Sequence, residues 1–361
     1  MISRLQHSRQ RCLLLSATEG LAPRTSRGFF LPVEPSTPLP LALSTVAPTC
    51  TERDRMQAEM QTAVQPPASW PIRVWRSAPV RIVVGVAMLA LVPIVFSNGL
   101  KLAARLFPAF DALLRSVAPV PGVSNRPLAF YIVTLAIVLL SIPVYRLFVR
   151  WTERRAAPEV AFDGALWETV AGMLFGTALF SCAVLVLWSG GHYRAAPGSS
   201  IAALAPVVAM SAAAAVMEEL MFRGVIFRIL EQWAGTRIAL GVSALLFGVV
   251  HLGNPNANLQ SAVAIAIEAG VLLGVAYMVT RRLWLVMGVH FAWNFTQGGV
   301  FGIPVSGIRV PGLLEGTLTG PEWLTGGPFG VEASVVAIVV CLGGTALLWR
   351  AAQVKRAASK V

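Results

Sequence analysis

Long apolar segments constrain the fold of this chain more than any other feature. Residues 128–149 and 166–188, among others, contain few charged side chains. A helix needs roughly 20 apolar residues to cross a hydrocarbon core about 30 Å thick. Because the backbone must satisfy its own hydrogen bonds in lipid, the chain is predicted to be all-α, a polytopic membrane helix bundle.

We predict about eight transmembrane helices in this bundle, with a polar site inside it. Residues 100–117 interleave charged side chains with Leu, Ala and Phe, which favours an interfacial amphipathic helix over a span. A loop rich in Gly and Pro, residues 298–330, separates the last two spans. The predicted spans are residues 82–96, 128–149, 166–188, 201–230, 238–251, 262–279, 283–295 and 331–348.

The composition divides the chain into four parts. Residues 1–76 are rich in Pro, Ser, Thr and Arg, and we interpret them as a disordered tail or as the result of a mis-called start codon. Residues 77–200 are predicted to be N-terminal membrane helices, and 201–301 a core that contains the polar motifs. Residues 302–361 comprise a Gly/Pro loop, the last span and a basic tail.

The charge of the chain is typical of a membrane protein and does not indicate a nucleic-acid partner. The net charge is +12, but only 13% of the residues are charged and the mean hydropathy is +0.69. Arg and Lys fall in short runs between apolar segments, as the positive-inside rule expects. We therefore expect a multi-pass protein of a bacterial plasma membrane, with both termini cytoplasmic and the lipid bilayer as a partner.

Two adjacent carboxylates, Glu218 and Glu219, lie deep in an otherwise apolar helical segment. Ionisable residues at such depth are costly and usually mark functional sites. Arg223 follows Glu219 by one helical turn, so these two side chains share a face and can form an ion pair. Glu218 is rotated by about 100° from Glu219, which leaves it without that partner and free for chemistry.

The turn at Gly235 predicts which residue faces Glu218. Glu218 lies 17 residues before Gly235 and His251 lies 16 residues after it. In an antiparallel helix pair both side chains therefore stand roughly 25 Å from the turn, at about 1.5 Å per residue. Phe247 shares the face of His251, and Gly248 allows a close helix approach.

A second polar pair, His290 and Asn294, has the spacing of one helical turn, so one helix face presents an imidazole and an amide. A buried carboxylate beside an imidazole can take a proton from water. A second imidazole and an amide can donate hydrogen bonds to an oxyanion. Together these groups supply what amide hydrolysis needs, a base for water and donors for an oxyanion. Each group alone is also typical of interhelical hydrogen bonding. Glu268, in the sixth span, is expected to be a helix-packing carboxylate.

These residues resemble the motifs of the CPBP family, the CAAX protease and bacteriocin-processing family, also called Abi, which includes the type II CAAX prenyl protease. The resemblance covers roughly residues 201–301. The motif E-E-x-x-x-R is found at Glu218, Glu219 and Arg223, F-x-x-x-H at Phe247 and His251, and H-x-x-x-N at His290 and Asn294.

The resemblance implies an eight-helix intramembrane endopeptidase. Glu218 and His251 would activate water, and His290 and Asn294 would stabilise the oxyanion. Supporting roles would fall to three neighbours of these residues, Glu219, Arg223 and Phe247. The implied substrate is a membrane-associated or lipidated, CAAX-like peptide or protein, and the sequence sets no oligomeric state.

Two alternatives remain open from the residues. No cofactor is predicted, because no H-E-x-x-H spacing appears and Asn is a poor zinc ligand. A zinc-dependent version of the same protease would use Glu218, His251 and His290 as ligands, with one open position. The other alternative is a non-enzymatic immunity or sequestration protein whose polar cluster only holds helices together; proton-coupled transport is less favoured because no inverted repeat is visible.

Overall fold

The computed structural model describes residues 77–116 and 127–358 of the chain. The predicted tail, residues 1–76, lies outside the described residues, as do 117–126 and 359–361. Helices make up most of the described part, which confirms the predicted all-α class. The α-helices there are α1 (Ala78–Leu106), α2 (Pro108–Leu114), α3 (Pro127–Glu153), α4 (Ala165–Ser189), α5 (Ala205–Glu219), α6 (Arg228–Ala234), α7 (Thr236–Val250), α8 (Leu259–Ile265), α9 (Leu272–Thr280), α10 (Trp284–Phe295), α11 (Glu322–Thr325) and α12 (Val335–Ala358).

Wider π-helical segments join some of these helices without a break. The three in the described residues are π1 (Leu220–Phe227) between α5 and α6, π2 (Ala266–Val271) between α8 and α9, and π3 (Thr296–Val300) after α10. Short 3₁₀ turns cover Pro158–Val160, Ile201–Leu204, His251–Gly253 and Val331–Ala333.

Seven helical segments of the described residues are long and apolar enough to cross a membrane, so the chain is a multi-pass membrane protein. The remaining predicted span, residues 283–295, corresponds to α10 and is not one of the seven. Its 12 residues extend only about 18 Å at 1.5 Å per residue. The seven segments are Ala78–Leu106, Pro127–Glu153, Ala165–Ser189, Ile201–Ala234, Thr236–Gly253, Leu259–Thr280 and Val335–Val354.

The prediction of one separate interfacial helix over residues 100–117 is wrong. Lys101 and Arg105 belong to the last turns of α1. This helix ends before Phe107, and α2 begins after that residue. Pro108 is the cause, because a proline disfavours helical backbone in the residue before it, and Phe107 is extended at φ −126° and ψ 97°.

The Gly/Pro loop after α10 contains a strand that the sequence does not predict. Strand β1 (Tyr193–Pro197) pairs antiparallel with β2 (Leu314–Leu318), from Tyr193 opposite Leu318 to Pro197 opposite Leu314. The Tyr193 hydroxyl also donates to the Phe301 carbonyl oxygen at 2.9 Å. These bonds fix the loop to the end of α4.

Glycines bring the helices of the site close together. A Cβ atom on Gly248 of α7 would lie 2.2 Å from the carbonyl oxygen of Ala262 in α8, so only glycine fits at this crossing, as predicted. A Cβ atom on Gly172 of α4 would lie 2.2 Å from the carbonyl oxygen of Leu285 in α10. Backbone contacts of this kind hold α7 against α8 and α10 against α4.

An ionic cluster anchors the helical segment that carries the two glutamates. Glu153, at the end of α3, forms ion pairs with Arg81 of α1 at 2.6 Å, Arg155 at 2.7 Å and Arg228 of α6 at 2.7 Å. Arg228 Nε also donates to the carbonyl oxygen of Gly224 in π1 at 2.8 Å. The cluster links α1 and α3 to the segment α5–π1–α6.

Candidate active site

Glu219, the last residue of α5, is completely buried and held by Arg223. Arg223 Nη1 donates to Glu219 Oε1 at 3.0 Å, as predicted from their spacing. Arg223 Nη2 donates to the carbonyl oxygens of Ala269 and Gly270 in π2, at 3.0 and 3.2 Å. The guanidinium carbon lies 4.6 Å from the ring centroid of Phe247, a cation–π contact. Phe247 therefore supports Arg223 directly.

His290 forms a second contact with Glu219, which the spacing of the motifs does not reveal. Its Nδ1 atom lies 2.7 Å from Glu219 Oε1. Because a carboxylate oxygen accepts hydrogen bonds, Nδ1 is assigned the proton. Nε2 is then the ring nitrogen that faces Glu218, at 3.9 Å from Glu218 Oε2.

His251 is oriented in a similar way by its own helix. Its Nδ1 lies 2.7 Å from the carbonyl oxygen of Phe247 one turn earlier, so Nδ1 donates. Nε2 therefore faces Glu218, again at 3.9 Å from Oε2. The meeting of Glu218 and His251 across the antiparallel pair agrees with the depth expected from the turn at Gly235, which has φ 84° and ψ 165°.

The two adjacent glutamates differ sharply in exposure. The Glu218 side chain is 29% exposed, whereas that of Glu219 is 0% exposed. Glu219 Oε1 accepts hydrogen bonds from Arg223 and His290, whereas Oε2 of each glutamate has no hydrogen-bond partner among the described residues. Glu218 is therefore the carboxylate that a water molecule or a substrate can reach.

A cavity of about 190 Å³ contains the predicted catalytic groups. Glu218, His251, His290 and Asn294 all line it, and so does Phe247, while Glu219 and Arg223 lie behind the wall. The structure thus brings all four predicted catalytic residues to one space. Other polar lining residues are Ser211, Asn254, Glu268, Trp293, Ser306 and Glu332.

The loop between π3 and α12 contributes cavity residues that sequence reasoning missed. The buried Glu332 carboxylate accepts a hydrogen bond from the Ser306 backbone N–H, and both residues line the cavity. Burial raises the pKa of Glu332 to about 7, against the opposing effect of its hydrogen bonds. A carboxylate at the start of the last predicted span, residues 331–348, was the available signal in the sequence.

Each π segment lies next to a residue of the site. π1 follows Glu219 directly, π2 contains Glu268, and π3 begins two residues after Asn294. Single wide turns inside α-helices occur frequently at functional sites, where they rotate side chains out of the regular helical register.

The zinc alternative requires Glu218, His251 and His290 to act together as ligands. Each imidazole Nε2 lies 3.9 Å from Glu218 Oε2, whereas ligands at 2.0–2.1 Å from a tetrahedral zinc ion stand about 3.4 Å apart. Within residues 77–116 and 127–358, no group of three or more His, Cys, Asp or Glu side chains is arranged to hold a metal ion. The donors as placed do not fit zinc unless they move together.

Comparison with known proteins agrees with the motifs. Residues 200–296 match the family model described as "Type II CAAX prenyl endopeptidase Rce1-like". This segment includes all three motifs and nearly coincides with the predicted core, so the predicted resemblance is confirmed there. Neither the curated proteins nor the solved structures that were searched gave a match. The family match supports a CAAX-type intramembrane protease in general terms.

Proposed function

We propose that this protein is an intramembrane endopeptidase that hydrolyses a peptide bond of a membrane-associated or lipidated peptide with a water molecule activated by Glu218 and His251. The observation that supports this most strongly is the position of Glu218 Oε2. It lies 3.9 Å from Nε2 of His251 and 3.9 Å from Nε2 of His290, inside a cavity that Asn294 also lines.

Glu218 and neutral His251 form the basic side of the site. His251 donates through Nδ1 to a backbone carbonyl, so its Nε2 carries a lone pair when the ring is neutral. A water molecule between Nε2 and the Glu218 carboxylate can donate one proton to each acceptor. Its oxygen is then oriented towards the cavity, and Glu218 takes a proton as the oxygen attacks the scissile carbonyl carbon.

His290 and Asn294 form the opposite side, where negative charge develops. With Nδ1 bonded to Glu219, a protonated His290 can donate through Nε2 to the carbonyl oxygen that becomes the oxyanion. Asn294, one helical turn further along α10, adds an amide donor. Donors that are fixed before the reaction stabilise such an oxyanion more than water does, because they need no reorganisation.

The proton held by Glu218 completes the reaction. When the tetrahedral intermediate breaks down, the bond between carbon and nitrogen cleaves and the leaving amine takes that proton. The products are a carboxylic acid and an amine, and Glu218 returns to its ionised form. The buried Glu219–Arg223 pair keeps α5 and α10 in place throughout.

Cleavage of a quenched, lipidated peptide library by the purified protein in detergent tests the proposal. We expect wild-type protein to cleave members of the library, with and without a zinc chelator. Glu218→Gln and His251→Ala should lose this activity while they keep their fold, which circular dichroism and thermal unfolding would verify. Glu315→Gln, at an exposed position outside the cavity, is the matched control.

Other outcomes favour the alternatives. Cleavage that the chelator abolishes and added zinc restores would support the zinc-dependent protease. A folded Glu218→Gln variant that retains the cellular function of the protein would contradict an enzyme and favour an immunity or sequestration protein.

A further inference from the structure

The cavity contains two carboxylates that the proposed reaction does not use. Glu268 comes from π2, and Glu332 comes from the 3₁₀ turn before α12. Each residue is only 3% exposed, and both line the cavity with Glu218. The three carboxylates share this space with two imidazoles, those of His251 and His290.

Neither of these buried carboxylates forms an ion pair with Lys, Arg or His among the described residues, although the charge of His290 acts on Glu332. Glu268 Oε2 accepts a hydrogen bond from the Cys341 thiol at 3.3 Å, and Glu332 Oε1 accepts one from the Ser306 N–H. The buried Glu219, in contrast, is paired with Arg223. Burying an ionised carboxylate without an ion-pair partner is unfavourable, so a cationic ligand would stabilise the ionised form of both residues.

A second, independent feature indicates that a polar ligand enters this space. Ser211 of α5 lies two helical turns before Glu218, is 1% exposed and lines the cavity. Its hydroxyl has no hydrogen-bond partner within the described part of the chain. The same holds for the indole Nε1 of Trp293, another lining residue. Buried polar groups are normally hydrogen-bonded, so the Ser211 hydroxyl and the Trp293 indole N–H are both available to bind a molecule in the cavity.

We infer that Glu268 and Glu332 form a subsite for a cationic nitrogen group of the substrate, a primary ammonium or a guanidinium. This inference rests on the proposed function and narrows its substrate class. The cation is supplied either by a Lys or Arg side chain or by the free α-amino group of the peptide. A sphere of the cavity's volume is roughly 7 Å across, about the length of two extended residues, so the cation lies within about two residues of the scissile bond.

The subsite predicts a definite dependence on pH. Burial raises the pKa of Glu332 to about 7, and only its ionised form attracts a cation. A lysine ammonium stays protonated in this range, because its pKa is about 10.4. Preference for a lysine-containing peptide should therefore increase from pH 6 to pH 8. The charged or titratable groups around Glu332 are His290 of α10, Glu268 of π2, Cys341 of α12, Glu218 of α5 and His251 after α7.

A binding measurement tests this subsite without requiring cleavage. Full-length Glu218→Gln protein in nanodiscs is titrated with fluorescent apolar peptides, and empty nanodiscs correct for partitioning into lipid. One peptide series is acetylated and carries Lys at successive positions. A second has norleucine in its place, and a third has norleucine with a free α-amino group. The difference in affinity between the first and second series measures the effect of a side-chain cation. The difference between the third and second series measures the effect of a terminal one.

We expect one cationic series to bind about tenfold or more tightly than the acetylated norleucine series, the effect of a hydrogen bond to a charged group. Adding Glu332→Gln or Glu268→Gln should remove most of this preference and leave norleucine binding unchanged. Glu315→Gln, an exposed control, should retain it. In the unmodified subsite the preference for the lysine series should also rise between pH 6 and pH 8, and this measurement needs no further variant.

Equal or undetectable binding of cationic and neutral peptides would overturn the inference, and so would a preference that survives both substitutions. The result is separable from the proposed function. Selective binding by a protein that cleaves no peptide would leave the subsite standing and contradict the endopeptidase. Cleavage without any preference for a cationic peptide would support the endopeptidase and contradict the subsite.

Discussion

The proposed division of roles between Glu218 and Glu219 follows from their surroundings. Both are glutamates one position apart, yet Glu219 is sealed between Arg223 and His290 while Glu218 opens to the cavity. The helical spacing of Arg223 was enough to predict this difference from sequence. The contact between Glu219 and His290 was not predictable, because it depends on how α10 is rotated against α5.

The two glutamates should respond differently to the same substitution. Glu219→Gln removes the charge that a completely buried Arg223 needs, and breaking such a pair lowers the free energy of unfolding by about 3–5 kcal/mol. Glu218→Gln leaves the Glu219–Arg223 pair intact and weakens only longer contacts, of 3.9 Å, to two imidazole nitrogens, so it should change stability much less. Thermal or denaturant unfolding of both variants in detergent measures the difference, and equal destabilisation would contradict it.

At the scale of whole elements, the spans were predictable and the irregular segments were not. Seven segments appear as helices because length and hydropathy suffice to define a span. The π segments and the β1–β2 pairing escaped prediction. They depend on contacts between distant parts of the chain, such as Arg223 with π2 and Tyr193 with Phe301. Glu332 was missed for the same reason, since its place in the cavity depends on the path of the loop.

The crossing of α7 and α8 gives a test at this scale. Gly248→Val forces a side chain against the Ala262 carbonyl oxygen, and overpacking of this kind costs typically 1–3 kcal/mol. His251, three residues later, should shift with its helix, so peptide cleavage should fall as well. Gly241→Val on the same helix is the matched control, because a Cβ atom there meets nothing within 4 Å.

Unfolding measurements and cleavage rates compare the two variants. We expect Gly241→Val to remain close to the wild-type protein in both. Similar losses in the two variants would show that the crossing at Gly248 does not position His251.

Across the described residues, the structure combines an apolar helix bundle with a polar cavity that a loop helps to line. The family match covers residues 200–296, but the cavity also needs the loop that carries Ser306 and Glu332. No residue before 200 in the described part of the chain lines the cavity, and the helices there pack against those of the site. The Glu153 cluster fixes α1 and α3 to the segment that carries Glu218, and α4 holds α10 through glycine contacts.

The proposed role of Glu218 as the base that activates water can be tested by the ratio of kcat between wild-type protein and Glu218→Gln. The measurement uses one cleaved peptide, chelator-treated protein and folding checks on both samples. Loss of a general base should lower kcat by about 10²- to 10⁴-fold with little change in KM, because glutamine keeps the size and the hydrogen bonding of the side chain. A folded Glu218→Gln variant with kcat close to the wild-type value would show that Glu218 is not the base.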